Sequence, residues 1–155
     1  AGGGGLAPFD VRPLGYSFDE ARAFLAALSP EGKEFYRTTQ HILDAAYPPL
    51  ASLTLFLAIL WLARSWAPWH WLAASTALPI AVFDLAENFM VDRMLAVGAS
   101  ALTPELVAQA SLYTEMKSGL TIVTMTVLLG AVAGRVWVGA RKRPGSEARR
   151  QATSQ

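Results

Sequence analysis

Two carboxylates, Asp84 and Glu87, lie in a stretch of the chain that otherwise has the composition of a membrane span. The run from Ser65 to Phe83 contains no Lys, Arg, Asp or Glu, and the apolar character continues beyond the two acids. A helix needs roughly 20 mostly apolar residues to cross a bilayer, so a span that begins near Trp69 must include both acids. Because an ionisable group at the bilayer centre costs roughly 2.5–3.5 kcal/mol on insertion scales, these side chains must face other helices, a partner or a cavity.

The spacing of these polar residues predicts one shared helix face. Asp84 and Glu87 are three residues apart, and Asn88 lies one turn after Asp84. Such a group could bind a proton or a cation, or anchor a cationic group of a partner. A structural network of hydrogen bonds and ion pairs is the favoured interpretation, because basic partners are available at Lys117, Arg93 and Arg37.

A second polar group, His41 and Asp44, is expected at the outer mouth of the first span. With Asp84 and Glu87 it could supply nitrogen and oxygen ligands to a metal, but the chain contains no HExxH or ExxH pattern. The simpler interpretation is an interfacial His41 and an Asp44 that caps a chain reversal. His70, in WAPWHW, is likewise expected at an interface rather than on a haem.

The sequence lacks the local patterns of common catalytic and cofactor sites. It contains no glycine-rich phosphate loop, nucleophile elbow or zinc spacing, and no cysteine, which excludes disulfides and thiolate chemistry. We therefore predict no catalytic residue, no metal and no cofactor. The expected partners are the lipid bilayer and other membrane subunits, with no nucleic acid.

Composition and hydropathy predict one all-α domain, a transmembrane helical bundle. Only 16% of the residues are charged, against about 25% in an ordinary soluble domain. Three spans are predicted at about 45–66, 69–93 and 116–139. They define a transmembrane domain over 45–140, preceded by an outer segment, 1–44, and followed by a basic tail, 141–155.

The basic residues predict the orientation of these spans. Arg135, Arg141, Lys142 and Arg143 flank the third span, so the C-terminus is expected in the cytoplasm and residues 1–44 outside, as in a bacterial inner membrane. All five Trp fall at the expected cytoplasmic ends of the spans and all four Tyr on the outer side. An outer segment ahead of the first span requires either a removed signal peptide or a further upstream span. We favour the upstream span, which gives four.

The segments outside the spans predict amphipathic helices on the outer surface of the membrane or capping the bundle. Ser17-Phe18-Asp19-Glu20 is a capping box, and Ser29-Pro30 begins a second helix. Pro48-Pro49 is expected to break or kink the path into the first span, and Pro79 to kink the second. Thr103-Pro104-Glu105 begins a helix that continues into the third span, with a bend at Gly119 as one alternative.

Three segments, DVRPLGYSFDEARAFLAAL, HILDAAYPPL and FDLAEN, resemble a family of short bacterial integral membrane proteins of unknown function. That family has about four spans, with Gly-Tyr-Ser, Asp…Tyr-Pro and Asp-x-x-Glu-Asn motifs. The matching positions are Gly15, Tyr16, Ser17, Asp44, Tyr47, Pro48, Asp84, Glu87 and Asn88. The resemblance implies an upstream span and implies no activity.

Small residues in the third span add a clue to association. Gly130-x-x-x-Gly134 is a close-packing motif for helix pairs, and it could serve another protein or the chain's own bundle. Because a three-span bundle has little interior, we expect a non-catalytic accessory or assembly subunit of a larger bacterial inner-membrane complex. The alternative is a small membrane enzyme or carrier that uses Asp84 and Glu87.

Overall fold

The computed structural model describes residues 8, 9, 12–35 and 41–141, and the secondary structure of this part of the chain is entirely helical. A short 3-10 helix, Arg64–Trp66, connects the third and fourth α-helices. The six α-helices are α1 (Phe18–Ala27), α2 (Pro30–Phe35), α3 (His41–Leu62), α4 (His70–Ser75), α5 (Leu78–Val97) and α6 (Pro104–Arg141). The all-α prediction is confirmed.

Three segments are long and apolar enough to cross a membrane, as predicted. They are Ala45–Leu62 in α3, His70–Val97 over α4 and α5, and Pro104–Arg141 in α6. The 38 residues of α6 extend about 57 Å at about 1.5 Å per residue. A hydrocarbon core is about 30 Å thick, so α6 is long enough to project well beyond it. The bend considered at Gly119 does not interrupt this helix.

Side-chain caps begin α1, α2 and α6 where the sequence predicts. The Ser17 N–H donates to the Glu20 carboxylate at 2.7 Å, and the Glu20 N–H donates to the Ser17 hydroxyl at 3.3 Å, which completes the capping box of α1. The Ser29 hydroxyl accepts from the Gly32 N–H at 3.1 Å in α2, and Thr103 accepts from the Leu106 N–H at 3.3 Å in α6. Each cap pairs an N–H that has no partner within its own helix.

The two proline sites behave differently from each other. Of the break or kink expected at Pro48-Pro49, the break is wrong, because α3 continues through both prolines. A continuous helix keeps its remaining backbone N–H and C=O groups hydrogen-bonded. A break would leave several of them unpaired among apolar surroundings. In the second span the helix is interrupted between Ser75 and Leu78, just before Pro79. This agrees with the kink expected there.

The largest buried cluster lies at one end of the bundle, where α1 packs against α5 and α6. The Phe9 ring lies 4.7 Å from the rings of both Tyr16 and Phe24, measured between centroids. Because α1 places its apolar face on the bundle, it caps the bundle. The cluster consists of Phe9, Tyr16, Ala21, Phe24, Leu25, Leu28, Met90, Val91, Met94, Leu95, Leu102, Val107 and Ala110.

A smaller buried cluster lies at the opposite end, around Ile59, Ala63, Ala74 and Ala131. Here the indole of Trp66 lies across the two glycines of the predicted packing motif. A Cβ at Gly130 would lie 3.6 Å from the Trp66 ring, and one at Gly134 would lie 3.4 Å from it. Gly130 and Gly134 therefore form a contact within the chain's own bundle.

Candidate functional site

Asp84 and Glu87 lie where α5 packs along α6, with Lys117 of α6 between them. The Lys117 ammonium is 3.3 Å from Asp84 Oδ1 and forms an ion pair with Glu87 Oε2. Of the basic residues considered from the sequence, Lys117 is therefore the partner that the structure shows. Arg93 is exposed, and Arg37 lies outside the described residues.

Glu87 belongs to the interior of the bundle. Its side chain has no solvent exposure, and its Oε1 accepts a hydrogen bond from the Thr114 hydroxyl at 2.6 Å. Thr114 was not identified from the sequence, although it lies three residues before Lys117 and so on the same face of α6. Together, Thr114 and Lys117 supply the charge-assisted contacts that a buried carboxylate requires.

Asp84 instead lines a groove between α3, α5 and α6. The groove has a volume of about 800 Å³, and both Asp84 and Lys117 lie on its wall. Their side chains are 19% and 17% exposed, respectively. One helix pair therefore holds two acids in different surroundings, Glu87 enclosed and Asp84 open to the groove.

The rest of the groove is mostly apolar, with a sparse set of hydroxyl groups. Its apolar lining includes Leu50, Leu55, Ile80, Ile122 and Met125. Its hydroxyl-bearing lining is Tyr47, Ser52, Thr54, Ser118 and Thr121. Ser52 is 2% exposed, and its hydroxyl has no hydrogen-bond partner in the part of the chain that the structure describes.

The charges of the cluster do not balance among themselves. Asp84, Glu87 and Lys117 supply two carboxylates and one ammonium, a formal excess of one negative charge. Coulomb interactions strengthen as the local dielectric falls. A positive group that entered the groove beside Asp84 would therefore be attracted to this cluster.

The other predicted site residues are dispersed or lie outside the description. Asn88 is half-buried one turn after Asp84. His41 and Asp44 are in the first turns of α3, but their side chains lie outside the described residues. Within the described ranges, no three His, Asp or Glu side chains converge as a metal site would require.

Comparison with known proteins gives no relative for this chain. No family model matches it, and neither a curated protein nor a solved structure is similar to it. The resemblance to short bacterial membrane proteins stays a prediction. The class of protein that the structure supports is a small helical bundle with three helices long and apolar enough to span a membrane.

Proposed function

We propose that this protein is a non-catalytic accessory or assembly subunit of a larger complex in a bacterial inner membrane. In this proposal the C-terminus is cytoplasmic, and the groove between α3, α5 and α6 receives a transmembrane helix of another subunit. The observation that carries the proposal is the groove itself, which is mostly apolar but has Asp84 and Lys117 on its wall.

The groove fits a protein helix better than lipid. A hydrocarbon chain could cover Leu50 and Ile122 but would leave the exposed parts of Asp84 and Lys117 without polar contacts, which is costly in a bilayer. A helix could pack on the same apolar residues and also present a polar or basic side chain to Asp84. Hydrogen bonds between helices in membranes stabilise association by about 0.6 kcal/mol on average.

The arrangement of the polar groups supports a role in association rather than in catalysis. Glu87 is engaged with both Lys117 and Thr114. The groove hydroxyl of Ser52 has no basic group to activate it among the described residues, whereas a serine nucleophile requires an adjacent base.

The test is a pull-down of the full-length protein from its native membrane in mild detergent, with quantitative mass spectrometry. We expect a stoichiometric membrane partner. Two variants should each reduce the recovery of this partner by about tenfold, a loss of about 1.4 kcal/mol of binding free energy. They are Asp84→Asn and Ile122→Trp, and Ile122 is a groove residue that is 68% exposed. Val123→Trp is the matched control, since Val123 is 50% exposed on the same helix and does not line the groove. Recovery of the wild-type protein as a lone monomer would contradict the proposal.

The second candidate is a proton or cation carrier, and the formal negative excess beside an open groove favours it. It predicts that purified protein in liposomes moves protons or a monovalent cation, and that Asp84→Asn stops this movement while the protein still accumulates. The subunit proposal predicts no transport by the isolated protein. If both Asp84→Asn and Glu87→Gln fail to accumulate, the acids are structural and the carrier loses its support.

A further inference from the structure

A second pocket lies at the opposite end of the bundle, beside the connection between α3 and α4. Trp66 rests on Gly130 and Gly134 of α6, and this contact brings the preceding residues of the 3-10 helix against the next turn of α6. The resulting pocket has a volume of about 360 Å³ and is lined by Arg64, Ser65, Arg135, Val138 and Gly139.

The two arginines of this pocket have no nearby acid to neutralise them. Neither Arg64 nor Arg135 forms an ion pair with a described carboxylate. The sequence explains this, because residues 45–83 and 117–141 contain no Asp or Glu at all. Two guanidinium groups on the wall of one pocket repel each other unless an anion lies between them.

The side chain of Arg135 is held in an orientation suited to anion binding. Its guanidinium carbon lies 4.5 Å from the centroid of the Trp61 ring, a distance at which cation–π attraction operates. A guanidinium that stacks through its face keeps its N–H groups at the edge, where they can bind two oxygens of one phosphate.

Aromatic residues place this pocket at the level of lipid headgroups. Trp side chains concentrate at membrane interfaces, where the ring is apolar and its N–H reaches polar groups. All five Trp of the chain belong to this end of the bundle. Four of them are at least half exposed, namely Trp61, Trp69, Trp71 and Trp137.

We propose that this pocket binds the phosphate group of one anionic glycerophospholipid, with Arg64 and Arg135 as its two cationic ligands. In this proposal the Ser65 hydroxyl donates a hydrogen bond to the same phosphate. The exposed apolar surface of α6 near Val138 contacts an acyl chain of the lipid. Basic pockets between transmembrane helices are suited to anionic headgroups. A soluble phosphate carries the same recognition chemistry, so the experiment must separate the two sources.

The test is native mass spectrometry of the full-length protein, released from detergent that contains equal amounts of phosphatidylglycerol and phosphatidylcholine. We expect preferential retention of one phosphatidylglycerol. Arg64→Gln combined with Arg135→Gln should reduce this preference by about tenfold, which corresponds to about 1.4 kcal/mol. Arg141→Gln is the charge control, because Arg141 also stacks on a Trp, at 4.5 Å from the Trp137 ring, but lies outside the pocket.

A second pair of variants tests whether the lipid binds in the pocket itself or is only attracted to nearby positive charge. Gly139→Leu should fill the pocket and reduce retention while both arginines remain, because Gly139 lines the pocket. A Cβ at Gly139 meets nothing within 4 Å, so the side chain fits without a clash. Gly119→Leu is its control, since position 119 of the same helix is equally open. Normal thermal stability of the Gly139→Leu protein would show that the bundle is intact.

Three results would overturn the proposal. The first is equal retention of the two lipids by the wild-type protein. The second is a loss in Arg141→Gln as large as in the double variant. The third is displacement of the lipid by millimolar inorganic phosphate, which would assign the pocket to a soluble anion. None of these results depends on the groove near Asp84, so the subunit proposal is tested separately.

Discussion

Lys117 organises the polar cluster because it contacts two carboxylates with different surroundings. Glu87 is enclosed and also bonded to Thr114, whereas Asp84 reaches the groove. Buried charges are tolerated when each has a close partner. The network therefore depends more on the single ammonium than on either acid.

Lys117→Met should be the most damaging change in the cluster, because it leaves two neighbouring carboxylates without their cation. We expect a loss of about 3–5 kcal/mol in unfolding free energy, the range for breaking a buried pair by removing one partner. Asp84→Asn should cost much less, since the Lys117–Glu87 pair remains. Unfolding by SDS titration in mixed micelles measures both. A Lys117→Met protein as stable as Asp84→Asn would show that the network does not support the fold.

Adding Asp84→Asn and Glu87→Gln to Lys117→Met should recover part of the lost stability. The triple variant has no unpaired charge at this site, and replacing a whole ionic group is less costly than removing one member of it. A triple variant less stable than Lys117→Met alone would contradict this explanation.

Gly15 illustrates a different constraint, a backbone that only glycine accommodates easily. Its φ is +77°, and a Cβ there would lie 2.3 Å from the Ser111 hydroxyl oxygen and 2.5 Å from a Glu115 carboxylate oxygen. The adjacent Tyr16 N–H donates to the same Ser111 hydroxyl at 2.9 Å. The Gly-Tyr-Ser segment is thus fixed to α6 on one side and caps α1 on the other.

Gly15→Ala should destabilise the protein by more than Gly98→Ala. Both glycines have positive φ, but a Cβ at Gly98 meets nothing within 4 Å. Gly98 has φ 72° and ψ 175°, a region that essentially only glycine adopts, so the change there should cost only the backbone term of about 1–3 kcal/mol. The difference in thermal midpoint between the two variants measures the steric contact with Ser111 and Glu115. Equal losses would mean that this contact relaxes without cost.

Among the helices, the second span shows how an interruption is tolerated among apolar neighbours. Where α4 ends, the Thr124 hydroxyl of α6 donates to the Thr76 carbonyl at 3.0 Å, and Thr124 is fully buried. Neighbouring helices commonly pair backbone groups that a proline site leaves open. The contact joins α6 to the interruption between α4 and α5, eight residues before Asp84.

The start of α1 should become less ordered in acid. Hydrogen bonds from the Ser17 backbone and hydroxyl, with a smaller contribution from Arg12, hold the pKa of the Glu20 carboxyl below its usual value of 4.5. A lowered pKa stabilises the folded state above the unfolded value, and this stabilisation is lost as the pH falls through the folded pKa. The protection of the amides of residues 18–24, taken as the intrinsic exchange rate divided by the observed rate at the same pH, should therefore fall below about pH 4.5.

Glu20→Gln is the control for this effect. It removes the titrating group and keeps a side chain that can still accept from the Ser17 N–H. The amides of α1 should be less protected than in wild type at neutral pH, and their protection should depend less on acidification. An unchanged acid response in Glu20→Gln would assign the effect to another group.

Over the whole bundle, the two ends have different chemistry. One end has the large buried cluster and the capping helix α1. The other has the five Trp and the two arginines of the second pocket, which form no ion pair with a described carboxylate. Positive charge and Trp at one end favour a cytoplasmic location for that end. This asymmetry underlies both the proposed orientation and the proposed lipid site.

Because the chain has no cysteine, its orientation can be tested with single introduced thiols. Ser65→Cys lies at the Trp-rich end and Ser100→Cys in the connection between α5 and α6, and both positions are exposed. In intact cells, a membrane-impermeant maleimide should label position 100 and not position 65. After lysis both should react. The reverse pattern would overturn the orientation.

The sequence by itself determined the helical class, the three apolar spans, the helix caps and the isolation of Asp84 and Glu87 among apolar residues. These properties follow from composition and from contacts three or four residues apart, which a single chain segment contains. Only the tertiary structure decided that Lys117 rather than Arg93 pairs with the acids, that Glu87 is enclosed while Asp84 faces a groove, and that Trp66 occupies the Gly130–Gly134 face. Those outcomes depend on how each helix is rotated about its axis and which neighbour it meets, and no local pattern fixes either one.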